Sequence, residues 1–175
     1  MRGLSLRNQG LSIVHTVAAA VIFFVAAPEL VWCQQDARLN EDLARRADAI
    51  VIAKVTGLTS AWNSDRSRIY TTVTLAIDEQ LKGEGTGTMS ISTPGGEVDG
   101  VGEVYSHVPR FKLNEQVVVF AQRDTQGRFQ LVGGIEGKMS VIIEESTGRQ
   151  LVADHETLQG FAVRVKAIVQ EQSQR

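Results

Sequence analysis

Between residues 69 and 81 the chain alternates strictly. Ile69, Thr71, Val73, Leu75, Ile77 and Leu81 fall on one parity, and Tyr70, Thr72, Thr74 and Ala76 fall on the other. Successive side chains of a strand point to opposite faces, so this period of two predicts one long, half-buried strand and is incompatible with an amphipathic helix. A strand of that length must find partners on both edges. The remaining segments supply them.

Ile50 to Thr56 is a β-branched run with one charge, Lys54, as expected of a strand buried on both faces or set in a barrel wall. Residues 57–67 are polar and read as a loop holding Trp62. After Lys82-Gly83-Glu84-Gly85, Met89 and Ile91 alternate with Thr88, Ser90 and Ser92 in a third strand. Thr93 to Pro109 is rich in glycine and reads as the longest irregular segment, tethered to the core by Val101, Val104 and Val108. Val117 to Ala121 predicts a central strand. Gln126-Gly127 turns the chain into Phe129 and Leu131, Gly133-Gly134 breaks that strand, and Met139, Val141 and Ile143 alternate in another. Ser146-Thr-Gly148 then turns the chain toward Leu151-Val152.

Helices are expected at both ends of this β-rich region. Asn40 can cap a short helix whose inner face carries Leu39, Leu43, Ala44 and Ala47. Leu158, Phe161, Ala162, Val165, Ile168 and Val169 follow the 3.6-residue period and predict an amphipathic helix over about 155–171. Tyr70 is expected to pack beneath it. Five or six short strands with two flanking helices point to a mainly β fold, a small β-barrel or curled sheet.

The first thirty-three residues have a different character. Arg2 and Arg7 precede the apolar run 17–27, and Pro28 ends it. This order reads as a secretory signal peptide, its apolar part being shorter than a membrane span of about 20 residues; retention as an N-terminal membrane anchor is the alternative. Cleavage after Cys33 leaves a mature single domain from Gln34 to Arg175, exported to the periplasm or the cell exterior and not held by the membrane. Cys33 is also a candidate for lipidation, since Leu30 to Cys33 is lipobox-like, although Trp32 stands where a small residue is needed. Cys33 is the one cysteine of the chain, so the mature domain has neither a disulfide nor a thiolate metal site.

Of the chain's 18 basic and 20 acidic residues, Arg2, Arg7 and Glu29 leave with the signal. The remainder carries about −3. It shows no basic stripe, which argues against nucleic acid as a partner. No cofactor motif is present. Lys82 to Gly87 has spaced glycines but opens onto a strand, so it reads as a hairpin turn and not as a phosphate cradle. No Gly-x-Ser-x-Gly elbow occurs, and Ser106 beside His107 is adjacency in sequence only. No catalytic residue is assigned.

Several stretches also resemble a family of uncharacterised exported bacterial proteins. These are Arg46 to Val51, Ile69 to Val73 leading to Leu81-Lys-Gly83, Thr93-Pro-Gly-Gly-Glu97, and Phe111 with Asn114 to Phe120. The plan is more distantly similar to the netrin-like domain of tissue inhibitors of metalloproteinases. That likeness implies an OB-type barrel. It does not extend to inhibition, for which Cys33 would have to be the exposed N-terminus and a second cysteine would have to pin it.

The expected function is a non-enzymatic binding module for a protein, peptide or glycan. Its face would be built from the 57–67 and 94–109 segments, with Trp62, Tyr105 and His107 as binding candidates. Two alternatives stay open. One is a metal-dependent or hydrolytic enzyme using Glu97, Asp99, Glu103 and His107, whose oxygen and nitrogen donors crowd one segment. The other is a structural component of the cell envelope. The sequence does not specify an oligomeric state.

Overall fold

The computed structural model describes residues 41–85, 87–152 and 156–174. The segment expected to be a signal peptide, Cys33, Leu39, Asn40 and His155 lie outside these residues. A short helix, α1 (residues 41–46), leads into β1 (Ala49–Trp62), β2 (Ile69–Lys82) and β3 (Thr88–Pro94). A small hairpin follows, β4 (Gly96–Val98) and β5 (Val101–Glu103). Then come β6 (Gln116–Arg123), β7 (Phe129–Leu131), a 3-10 turn at Gly134–Gly137, β8 (Lys138–Ile143), β9 (Gln150–Val152) and β10 (Glu156–Thr157). The last element is α2 (Leu158–Ser173), with the Thr157 hydroxyl accepting the Gly160 N–H at 3.2 Å as its N-cap.

The main sheet runs β1-β2-β3-β7-β6, and β6 pairs back onto β1, closing a five-stranded barrel. Closure rests on β1 and β6, antiparallel from Ala49↔Ala121 to Lys54↔Gln116, and on a parallel bridge between Ile91 of β3 and Phe129 of β7. The expected mainly β fold, a small OB-like barrel flanked by a short N-terminal and a C-terminal helix, is the observed one.

Two apolar layers follow from strand parity. Ala49, Val51, Ala53 and Val55 of β1 point into the barrel with Val73, Leu75, Met89, Ile91, Val117, Val119 and Ala121. Small alanines beside branched residues suit the narrow interior of a five-stranded barrel. The opposite parity, Ile50, Ile52, Val118 and Phe120, packs outward under Leu43, Ala44 and Ala47 near α1 and under Leu158, Phe161, Ala162 and Val165 of α2. This double burial explains the unbroken apolar runs of β1 and β6. Phe120 meets Phe161 edge to face, with ring centroids 6.4 Å apart. The Lys82 Nζ donates to the Ala44 carbonyl at 2.7 Å and to Gln172 Oε1 at 3.3 Å, tying both helices to the end of β2. Burial lowers its pKa from the ordinary lysine value.

Several expectations are corrected. Residues 57–62 are strand, not loop, because each pairs across the ladder with 69–74. Thr56 is an extra residue where the register shifts between Val55 and Gly57. The shift moves the inward-facing set from odd to even numbers, Leu58 now standing opposite Val73. That change of parity breaks the alternation and disguises the strand. Leu81 does not share the face of Ile69 to Ile77. Register shifts near Ile50 and Ile52 turn it into the helix-facing layer.

The 93–109 segment is also more regular than expected, since Pro94 ends β3 and the β4–β5 hairpin follows at once. Val101 and Val104 are exposed rather than tethered, while Val108 is half-buried. Tyr70 lies opposite Ala61 and Pro94, whereas α2 reaches β2 at its other end, through Lys166 to Glu79 and Gln172 to Lys82. It is therefore not covered by the helix. Finally, α2 begins at Leu158 and not near 155, because β10 precedes it.

Candidate functional site

Past the Thr56 bulge, β1 and β2 continue beyond the packed interior and leave the barrel mouth open. Leu58 and Ser60 of β1, Thr71 and Val73 of β2 and Thr93 of β3 form its floor. The β4–β5 hairpin and the chain from Val104 to Phe111 form the opposite wall, enclosing a cleft of about 410 Å³. That is the size range of a small-ligand site, and barrel mouths are common places for one.

The polar groups of the cleft are largely committed to the fold. Thr71 Oγ1 donates to the Gly95 carbonyl at 2.7 Å and lies 2.9 Å from Ser60 Oγ. With the Thr71 proton on Gly95, Ser60 is the donor of that pair, so its own proton is used. Glu103 Oε2 accepts the Ile69 N–H at 3.0 Å and the Tyr105 phenol at 3.1 Å. The bond to Glu103 stabilises the neutral phenol and raises the Tyr105 pKa above the ordinary tyrosine value. Tyr70 and Arg68 stand close enough to Tyr105 to act on it electrostatically, Tyr70 raising and Arg68 lowering its pKa. Together these bonds fasten the hairpin to the end of β2.

A second anchor holds the far wall. Lys138 Nζ bonds Glu115 Oε1 at 2.6 Å and the Arg110 carbonyl at 3.0 Å, and lies 5.2 Å from the centroid of the Phe111 ring. Burial alone would raise the Glu115 pKa. Hydrogen bonds from Lys138, Ser140 and the Lys112 N–H outweigh it and hold the carboxyl below the usual range.

Of the sequence candidates, Tyr105 lines the cleft. Trp62 sits at the end of β1 opposite Ile69, half-buried and outside the cleft lining. His107 is exposed, and its carbonyl lies against Gly134 instead of the mouth. Glu97 and Glu103 border the cleft, while Asp99 occupies the hairpin turn. Among the described residues, no three His, Cys, Asp or Glu side chains form a group able to hold a metal ion, so Glu97, Asp99, Glu103 and His107 are not brought together as a ligand set.

The two segments singled out from the sequence do meet. Ser60 and Thr71 lie directly beneath Gly96 of the hairpin. The floor residues Leu58, Ser60, Thr71 and Val73 were missed as site residues. The usable signal was the run of hydroxyl and apolar side chains on the parity of Ile69, Thr71 and Val73. No family model matches the chain, and no curated protein matches it.

Proposed function

We propose that this chain is an exported, non-enzymatic binding module and that its ligand, a protein, peptide or glycan, enters the barrel mouth. The observation that carries the reading is the cleft itself. An apolar floor and wall, Leu58, Val73, Val108 and Phe111, surround a few polar groups, of which Thr71 and Glu103 already hold the hairpin in place. A site of this composition suits recognition, in which fixed polar groups orient a ligand against apolar surface. It offers little for catalysis, since Ser60 is a donor to Thr71 and has no base beside it among its hydrogen-bond partners. Export rests on the N-terminal sequence described above.

Leu58→Arg tests the reading. Leu58 is 41 % exposed, so the substitution fills the mouth without opening the core. The protein recovered from a secreting host is screened against immobilised peptides and oligosaccharides. Loss of every captured ligand in the variant, with an unchanged circular dichroism spectrum, is the expected result. Equal capture by both proteins rejects the mouth as the site.

A further inference from the structure

The β4–β5 hairpin forms a two-stranded sheet of its own. Its register is Gly96↔Glu103, Glu97↔Gly102 and Val98↔Val101. Asp99 and Gly100 form the turn with φ of 50° and 79°. Positive φ at both central residues is the type I′ geometry, in which the flanking residues, Val98 and Val101, exchange both backbone hydrogen bonds. Bonded and non-bonded pairs alternate along an antiparallel ladder, so Glu97 and Gly102 are the non-bonded pair. The N–H and C=O of Gly102 therefore point away from β4.

Among the described residues β5 has no strand neighbour on that side, and Gly102 is exposed on the border of the mouth cleft. Edges of this kind are normally blunted by shortness, a charge, a proline or a bulge, and β5, at 3 residues, is short. Here the outward-bonding position is a glycine. The charged residue of β5, Glu103, spends its carboxylate on Ile69 and Tyr105. Val101 and Val104, flanking the edge, are 48 % and 75 % exposed.

We infer that β5 is a docking edge for an extended polypeptide, which joins the hairpin as a third strand through the N–H and C=O of Gly102 and lays a side chain into the cleft. The inference rests on the mouth being the ligand site and selects the peptide from the classes proposed there. A paired donor and acceptor on one residue matches the backbone of another extended chain, and this is the pattern of strand addition. A sugar ring holds neighbouring hydroxyls at fixed spacing, but it has no repeating N–H and C=O groups with which to continue a β-ladder.

The test begins with a random heptapeptide phage library panned on the secreted protein. The enriched peptide is synthesised and titrated by calorimetry against the native protein, Gly102→Pro and Leu58→Arg. Proline removes the outward N–H while leaving the β4–β5 bonds intact, because position 102 is not in a bonded pair. Strand addition predicts at least a tenfold weaker Kd for Gly102→Pro, and a similar loss when one central peptide nitrogen is methylated. It also predicts slowed hydrogen exchange at the Gly102 amide of the native complex, a readout that stands if the proline variant does not fold. The inference is overturned if no peptide is enriched, or if neither the methylated peptides nor Gly102 exchange shows the effect. Should Leu58→Arg still abolish binding in that second case, the mouth survives as the ligand site and strand addition alone fails. Peptide binding indifferent to all of these changes defeats both.

Discussion

Gly96→Ala perturbs the join between the hairpin and the barrel at one atom. Gly96 has a φ of 137°, and a Cβ built there lies 2.4 Å from Ser60 Oγ, 2.4 Å from Thr71 Oγ1 and 3.0 Å from Ser60 Cβ. The alanine can be accommodated in two ways. If the hairpin stays down, the backbone is held in a region that disfavours side chains, at about 1–3 kcal/mol, and the added methyl is forced into filled space, at about 1–3 kcal/mol more. If the hairpin lifts, three hydrogen bonds open: Thr71 to the Gly95 carbonyl, the Ile69 N–H to Glu103, and the Gly95 N–H to the Ile69 carbonyl. At about 1 kcal/mol net each, lifting costs about 3 kcal/mol.

Lifting is thus as easy as enduring the clash, and the loss settles near 3 kcal/mol by either route. For a domain of this size that corresponds to a fall in Tm of roughly 8–12 °C. Lifting also has a local signature. The Ile69 and Gly95 amides should exchange about a hundredfold faster, while amides of β1 paired with β6 keep their protection. Differential scanning calorimetry and amide-resolved hydrogen exchange read the two effects. A variant that loses less than about 2 °C and keeps both amides protected refutes the close packing of Gly96 on Ser60 and Thr71.

Other outcomes follow from the same contacts. Phe161→Ala removes the ring that joins α2 to Phe120 in the helix-facing layer, and should cost about 3–5 kcal/mol in urea unfolding. Lys138→Met removes the ion-pair partner of half-buried Glu115, which keeps its bonds from Ser140 and the Lys112 N–H, and should cost about 1.5–3 kcal/mol by the same assay. Because the folded-state pKa of Glu115 is depressed, its contribution is present above the ordinary value of 4.5 and is lost as pH falls through the lower folded value. Glu115→Gln should therefore flatten the acid limb of the stability-pH curve. The chain has two tyrosines. In an absorbance titration the Tyr105 phenol should ionise above the ordinary tyrosine value, and Glu103→Gln should bring it back toward that value.

How much of this was legible depended on whether local pattern and register agreed. β2 and β3 read correctly from alternation, and β6 and the Gln126-Gly127 hairpin from an apolar run and a turn. Phe161 and Val165 of α2 were placed by their period. The first half of β1 read as a doubly buried strand and is one. Its second half failed at Thr56, because a bulge reverses which side chains face inward and no composition signal marks a bulge. Leu81 failed for the same reason. The β4–β5 hairpin was hidden by glycine content, although Asp99-Gly100 between Val98 and Val101 is a strong hairpin signal at close range. The site was half legible. The two segments that form it were named, and Tyr105 was among the candidates. Trp62 and His107 drew attention as conspicuous side chains, whereas Leu58, Thr71 and Val73 needed the barrel's curvature to become one surface.

The central claim is that ligand enters the barrel mouth, and a chemical-shift perturbation map tests it most directly. The isotopically labelled protein is titrated with the peptide or oligosaccharide that it captures, and the displaced amides are assigned. The account predicts changes concentrated at Leu58 to Ser60, Thr71 to Val73 and Gly95 to Phe111. Changes confined to the outer face of α2 and the β8–β9 hairpin, with the mouth amides unmoved, would contradict it.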